Sequence, residues 1–304
     1  MKTDKQVTVL ILTYNQLAFT VECISSLLKS DYQNIRILVV DNGSSDGTVD
    51  TLTKKFPDIT ILRNEKNLGC AGGRNTGIKY YLDNLDSDYL FFLDNDIIIE
   101  KSAIGELVSL MDSSPQNGIV APFWYFYNQP DTIFFAGGAH ISWKKGVFYG
   151  EMRGEKRPLN DLIRTVEFVP GGIIFAKREA VQIAGLFDER YFIYFEDPDW
   201  VVRVTQAGAT IMATSRASVL HKVSQSVGME TPLFYYYRTR NRLLFMKKNA
   251  RKTDRFFFFF YFIFELIVMT APTLLLNKMY KQLKGVFVGI MDHFKGIYGQ
   301  KLKI

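Results

Sequence analysis

The chain has 304 residues, 47% hydrophobic and 22% charged, with a formal net charge of +6. This composition excludes a disordered chain and allows one large or two modest domains with a substantial core. The charge is moderate and uneven: cations thicken after about Arg238, which favours phosphates or an acidic membrane surface near the C-terminal part, and no nucleic-acid partner is expected.

At the N-terminus, "MKTDKQVTVLILTYN" holds an apolar run too short for a signal-peptide core, and no small-residue cleavage site follows. Its alternating, β-branched character reads as a first strand, so the folded part is expected in the cytosol. Cys23 and Cys70 offer neither a disulfide framework nor metal-ligand spacing, which fits a reducing compartment.

Strand-like runs at Val7–Thr13, Ile35–Val40, Ile59–Leu62 and Tyr89–Leu93 alternate with helical patterns at Leu17–Lys29, Thr48–Phe56 and Asn75–Leu82. Such alternation predicts βαβ units and a mostly parallel sheet covered on both faces. Ligands of such sheets bind beyond the carboxyl ends of the strands. Here those ends carry "TYN", "DNGSSDGT", "RNEKNLGCAGGRN" and "DND", all polar.

"DNGSSDGT" is turn chemistry running into a helix, with Asp46 as the expected N-cap. Asp41 stands where a strand end meets a nucleobase or ribose. "NLGCAGGRNTG" reads as a glycine loop that lets backbone approach a ligand, with Arg74 at the start of a helix. A guanidinium beside helix N-terminal amides makes a diphosphate site. No Walker sequence occurs and no G-x-G-x-x-G follows the first strand, which argues against a P-loop NTPase or a nicotinamide enzyme.

In "YLFFLDNDIII" two carboxylates lie one residue apart within an apolar run. Burying them ionised without partners is costly. In extended backbone residues i and i+2 face the same way, so Asp94 and Asp96 present together while Asn95 points elsewhere. Paired carboxylates suit a hard divalent cation, Mg²⁺ or Mn²⁺. A strand-end turn capping backbone amides is the competing reading.

The middle third is less regular. "FFAGGAHISWKKGVFYGE" resembles a hairpin, and "VEFVPGGIIFAKREAV" reads as strand, turn, strand and helix. "YFIYFEDPDW" is a second acidic cluster, after which a helix runs to about Gly208. Pro198 at the first helical position makes Asp197 an N-cap; the functional reading makes Asp197 a general base supported by Glu196 or Asp199. These coexist only partly, because amides donating to a carboxylate lower its basicity. His221 follows an apolar strand and gains interest only beside a metal at the aspartates. Ser224, Ser226 and Gly228 then read as a flap.

After about Pro232 the chain turns basic and aromatic, then nearly continuously apolar in "FFFFFYFIFELIVMTAPTLLL". That run approaches the roughly 20 residues of a membrane span. However, Glu265 lies mid-segment at a cost of about 2.5–3.5 kcal/mol. Pro272 and cations at both ends also remove the asymmetry that orients a span. Phe287, Ile290, Phe294 and Ile297 form a further helical stripe. Helices lying in the membrane interface are the favoured reading; a buried core helix or an oligomer contact is the alternative.

Taken in order, "ILTYN", "DNGSSDGT", "NLGCAGGRNTG", "FLDND", "GGIIFAKREA", "GLFDERYFIYFEDPDW", a later His and "YYYRTRNR" resemble glycosyltransferase family 2, from Val7 to Arg242. The closest likeness within it is to bacterial polysaccharide enzymes, including rhamnosyltransferases. The resemblance implies an α/β GT-A fold and inverting transfer from a nucleoside-diphosphate sugar, UDP- or dTDP-linked, with dTDP-rhamnose a candidate. With the change of composition after about Pro232, the chain is expected to divide into a catalytic domain at 1–232, with a nucleotide-binding half at 1–100 and an acceptor half at 101–232, and a membrane-associated module at 233–304.

By the same resemblance Thr13, Tyr14 and Asn15 lie against the nucleotide, Asp41 and Asn42 beside its base, and Arg74 and Asn75 near ribose and diphosphate. Asp94, Asn95 and Asp96 match the D-x-D motif, with Asp94, Asp96 and His221 as metal ligands and Mn²⁺ or Mg²⁺ as cofactor. Asp197 is the base. Gly171, Gly172 and Trp200 are expected on the acceptor side. The membrane-facing helices, rather than the resemblance, suggest a lipid-linked glycan acceptor with its phosphates near Arg238, Arg240 and Arg242; pairing of these arginines with acidic side chains is the alternative. The expected location is the cytoplasmic face of the membrane. A nucleotidyltransferase or a non-catalytic sugar-binding protein would share the sheet; "TYNQLA" lacks the former's Gly-rich loop.

Overall fold

A computed structural model describes residues 5–222, 230–301 and 303. The residues read as a flap, Ser224, Ser226 and Gly228, lie outside them. In chain order the first half comprises β1 (Val7–Thr13), α1 (Leu17–Leu27), β2 (Ile35–Asp41), α2 (Thr48–Lys55), β3 (Thr60–Arg63), α3 (Gly69–Asn84), β4 (Tyr89–Asp94), β5 (Ile97–Ile99) and α4 (Ala103–Asp112). Then come β6 (Asn117–Phe126), β7 (Gln129–Phe135), β8 (Ala139–Ser142), β9 (Val147–Gly150), β10 (Ile163–Thr165) and β11 (Ile173–Lys177). They lead into α5 (Arg178–Ala184), α6 (Glu196–Gln206), β12 (Thr210–His221) and α7 (Pro232–Asn249). The chain ends with α8 (Lys252–Phe264), a π-helical turn (Glu265–Thr270), α9 (Ala271–Leu276) and α10 (Tyr280–Lys295).

Ten strands form one mixed sheet in the order β10-β12-β6-β11-β4-β1-β2-β3, with β5 on β12 and β7 on β6. β4, β1, β2 and β3 are parallel, as the βαβ pattern predicts. β11 runs antiparallel to β4, with Ile173 opposite Leu93. This reversal carries the Gly171–Gly172 corner to the end of β4. The expected hairpin is β8–β9.

Alternate residues of the central strands feed two cores, one on each sheet face. Leu10, Phe92 and Ile174 belong to one, and Val9, Phe91 and Phe175 to the other. Strands with both faces covered read as continuous apolar runs, which is why β1 and β4 stand out in the sequence.

Several boundaries differ from expectation. The glycine loop is in fact the first turns of α3, which begins at Gly69, so Arg74 sits in the second turn. Gly73 and Gly77 bring α3 close against Leu12, Asn42 and Leu10. α2 is capped one residue later than expected, at Gly47, although Asp46 accepts from the Thr48 amide. α6 starts within "FEDPDW", at Glu196, rather than after it. Asp197 therefore lies in the first turn and is not the cap.

The boundary at 232/233 does not separate two cores. Leu244, Phe245 and Met246 of α7, Ala250 just after it, and Phe258 of α8 are buried in the same cluster as Leu10 and Phe92. The sequence concealed this because the apolar positions of α7 are interleaved with arginines, of which Arg240 and Arg242 are buried with them.

Candidate active site

Two clefts meet at the carboxyl end of the parallel strands. One, of about 290 Å³, is lined by Thr13 and Tyr14 after β1, Cys70 and Arg74 of α3, Asp94, Asn95 and Asp96 after β4, and His221. The other, of about 320 Å³, is lined by Asp197 and Pro198 of α6, Phe148, Phe168, and Arg238 and Arg242 of α7.

The corner between them is Gly171–Gly172. The Asp94 amide donates to Gly172 O at 2.7 Å, and a Cβ on Gly172 would fall on the Asp94 carboxylate. A Cβ on Gly171 would stand 2.5 Å from Asp197 Cβ and 2.7 Å from Arg74 Nη1. Only glycine fits at either position, so both carboxylates close on the same two residues of backbone.

On the first side, Arg74 Nη2 donates to Asp94 Oδ1 at 3.0 Å, and its Nη1 reaches Glu196 Oε1 at 3.4 Å. Burial pushes the Asp94 carboxyl above the ordinary carboxylate range; the Arg74 charge opposes this and Asp96 adds to it by like-charge repulsion. Asp96 Oδ2 lies 3.3 Å from His221 Nε2. His221 is delivered there by β12, which pairs it with Ile97 of β5.

Among the described residues no group of three His, Cys, Asp or Glu side chains is gathered to hold a metal. Asp94 turns to Arg74 and Asp96 to His221, so the expected three-donor set is not assembled. The chemistry of the face still fits a hard cation. It offers two neighbouring carboxylates whose mutual repulsion raises Asp94, and oxygen donors of this kind suit Mg²⁺ or Mn²⁺.

On the second side, Asp197 Oδ2 accepts from the Gly171 amide at 2.5 Å. Burial raises its pKa, and the Gly171 bond and Arg74 hold the rise in check. Glu196 is more deeply placed. Burial, reinforced by Asp197, pushes its carboxyl up to about 8, so it carries a proton at neutral pH. Its Oε2 has no partner among the described residues. Asp197 is the carboxylate of this pair that holds a backbone amide, which opposes the effect of its burial.

The approach to this pair is strained. Phe192, Tyr194 and Phe195 have φ of 63°, 64° and 72°, a left-handed conformation costly for aromatic residues. The Asn241 side-chain amide donates to Tyr191 O, Ile193 O and Tyr194 O at 2.9, 2.7 and 2.9 Å. Arg240 donates to Arg190 O and Tyr191 O at 3.0 and 3.1 Å. These two residues clamp the strained loop, and Asn241 was not singled out by sequence. Its only signal is a polar pair, "RN", in the middle of an aromatic helix.

Other expected site residues also brace the fold, and Thr13, Asn42 and Asn95 do so while lining the first cleft. Arg240 is fully buried, away from any phosphate route. Trp200 is a core residue: it donates to Gly185 O and stacks on Phe187. Asp199 is fully buried and pairs with Lys248, fastening α6 to α7 rather than assisting Asp197. Asn75 pins the loop before α6 through Phe187 and Glu189. Asn42 ties the 64–69 segment together. Asn15, with φ of 51°, binds Ser44 and Ser45. Asn95 and Thr13 share an inner network with Thr20. Asp41 is fully buried; Oδ2 accepts from the Ser44 amide, while Oδ1 has no partner among the described residues.

Comparisons with known proteins agree with this geometry. A mannosyltransferase from Pyrobaculum calidifontis, solved with GDP-Man and Mn²⁺, superposes with a TM-score of 0.58 at 14% identity, covering 96% of this chain and 88% of that one. GalNAc-T7, solved with UDP, GalNAc and Mn²⁺, superposes at 0.60 and 14% identity, over 89% of this chain and 57% of that one. Both share the GT-A fold.

In sequence, the N-acetylglucosaminyl-diphospho-decaprenol L-rhamnosyltransferase of Mycobacterium tuberculosis is 26% identical over 243 residues, 73% of this chain and 78% of that protein. The dTDP-rhamnosyl transferase RfbF of Shigella flexneri is 25% identical over 250 residues, 76% of each. The family model "Glycosyl transferase family 2" matches residues 8–182, a span that takes in Asp41, Arg74, both D-x-D carboxylates and the Gly171–Gly172 corner. More than half the chain is matched, and it belongs to glycosyltransferase family 2.

Proposed function

We propose that this glycosyltransferase is an inverting enzyme that moves a sugar from a UDP- or dTDP-sugar, with dTDP-rhamnose the leading candidate, to a hydroxyl of a lipid-linked glycan. The setting is surface polysaccharide assembly at the cytoplasmic face of the membrane. The observation that carries this reading is that Asp94 and Asp197 both close on Gly171–Gly172. In this reading the diphosphate lies on the Asp94 side and the acceptor hydroxyl on the Asp197 side, so the reacting atoms meet at this corner. The rhamnosyltransferase relatives support the donor and the lipid-linked acceptor.

In this reading Asp197 accepts the proton of the acceptor hydroxyl as that oxygen bonds to the anomeric carbon. The bond from that carbon to the phosphate oxygen breaks, and the nucleoside diphosphate leaves with the electron pair. Attack comes from the face opposite the leaving group, so the configuration inverts. The Gly171 amide fixes one Asp197 oxygen and leaves the other for the hydroxyl. Arg74 holds positive charge beside the departing diphosphate. When bound at Asp94 and Asp96, a divalent cation supplies further neutralisation of that diphosphate.

The test is a panel of UDP-, dTDP- and GDP-sugars with Mn²⁺ or Mg²⁺ and a lipid-linked acceptor, read as released nucleoside diphosphate and glycosylated lipid. Transfer from a UDP- or dTDP-sugar that stops on adding EDTA is the expected result. Absence of transfer from every donor in the panel rejects the proposal.

A further inference from the structure

A second cavity of about 190 Å³ lies next to the Asp197 cleft and shares two of its walls, Arg238 and Arg242. Its remaining lining includes Phe262, Leu266 and Val286, from the apolar C-terminal helices. The surface beyond is unusually greasy: Phe259, Phe264, Ile267 and Phe287 are all more than 45% exposed. A route therefore runs from a carboxylate, past two guanidinium groups, to an apolar face.

The two arginines differ in how far they are already neutralised. Arg242 is buried; its Nη1 pairs with Glu265 at 2.6 Å, and its Nε has no partner among the described residues. Arg238 is exposed, has no carboxylate partner among the described residues, and lies over the Phe234 ring. Glu265 offsets one positive charge and leaves the other. That is a site for an anion, placed where hydrophilic and apolar cavities join.

We propose that the two cavities are one acceptor track, built for a sugar carried on an isoprenoid diphosphate. The sugar lies at Asp197, the diphosphate at Arg238 and Arg242, and the isoprenoid chain along Phe262, Leu266 and Val286 toward the exposed face. This rests on the lipid-linked acceptor reading and adds where each part of that acceptor binds. Chain and diphosphate then bind together, and neither alone accounts for the affinity.

The experiment measures binding rather than transfer, so it stands apart from the test of the enzymatic reading. Full-length protein is saturated with dTDP and Mn²⁺ to fill the donor cleft, then titrated calorimetrically with farnesyl diphosphate, farnesol or inorganic diphosphate. Farnesyl diphosphate is expected to bind about tenfold or more tighter than either fragment, the size of one charge-assisted contact. Arg238→Ala and Leu266→Trp each weaken it by about tenfold, while Arg238→Lys stays within about threefold of the parent. Equal affinity for inorganic diphosphate overturns the track and leaves a simple anion site. Unchanged farnesyl diphosphate binding in Arg238→Ala and Leu266→Trp overturns it as well.

Discussion

Arg74 Nη2 stands 3.0 Å from Asp94 Oδ1, and the same guanidinium reaches the second cleft, where Glu196 is its more distant partner at 3.4 Å. One buried cation is therefore shared between the two sides of the Gly171–Gly172 corner. With Glu196 pushed up to about 8, Arg74 is stabilised first by Asp94, and Asp197 contributes as well.

The assignment of Asp197 gives the sharpest mutational outcome. Asp197→Asn keeps the size of the side chain but cannot take a proton, so transfer falls by about 10²–10⁴-fold, the usual worth of a positioned base. Donor affinity, set on the Asp94 side, stays within about threefold. Turnover comparable to the parent enzyme rejects Asp197 as the base.

The glycine corner predicts two different defects from two neighbouring substitutions. Gly172→Ala drives a methyl into Asp94, whose Cγ would be 2.8 Å away; donor KM rises. Gly171→Ala displaces Asp197 and Arg74; kcat falls more than donor KM changes. Overpacking of this kind costs about 1–3 kcal/mol. Steady-state kinetics on both variants decide it, and identical profiles for the two refute the partition.

Glu196 and Asp197 together predict the pH profile. Transfer requires ionised Asp197, whose pKa burial raises, so the acid limb falls above the ordinary carboxylate range. Ionising Glu196 near pH 8 places a second negative charge beside the base and frames an alkaline limb. Glu196→Gln removes that limb. Stability follows the same sign: the folded value lies above the unfolded value of 4.5, so the contribution is complete below 4.5 and is lost as pH rises to about 8. Thermal unfolding of the parent, compared with Glu196→Gln, weakens across that window. A parallel dependence in the two proteins excludes Glu196 as its source.

The parallel half of the fold was legible because doubly buried strands leave uninterrupted apolar runs ending in polar loops. Asp94, Asp96 and Asp197 were legible as carboxylates lodged in apolar or aromatic surroundings, where burial is costly. The braces were not. Asn42, Asn75, Asp199 and Arg240 have the composition of ligand-binding residues, yet their partners are main-chain groups or charges remote in sequence. A polar side chain that completes buried backbone looks the same in sequence as one that meets a ligand. Asn241 was missed for the same reason.

Asn241 offers a direct measure of that hidden bracing. Its removal in Asn241→Ala leaves three carbonyls of the strained loop without this donor. An unpaired buried polar group costs about 1–3 kcal/mol, so the melting temperature drops. The loop relaxes from its left-handed conformation, and kcat falls with it. Loss of stability with kcat intact separates the clamp from catalysis and rejects its positioning role.

The C-terminal helices supply the last prediction. Lys252–Leu276 is 25 residues long and apolar enough to cross a membrane, but Glu265 at its middle is tied to Arg242 of the catalytic core at 2.6 Å. That bond ties the middle of the helix to the domain, while Phe256, Phe257, Phe260 and Phe264 are exposed. An interfacial helix of this kind binds through aromatic burial, worth about 1.5–3 kcal/mol per Phe. Flanking cations add about 1 kcal/mol each on anionic lipid. Membranes containing the protein should release it in alkaline carbonate without detergent. Phe257→Ser with Phe260→Ser lowers co-sedimentation with anionic vesicles, and high salt lowers it further. Retention in carbonate, with the C-terminus open to protease on the far side of sealed vesicles, would make the helix a true span.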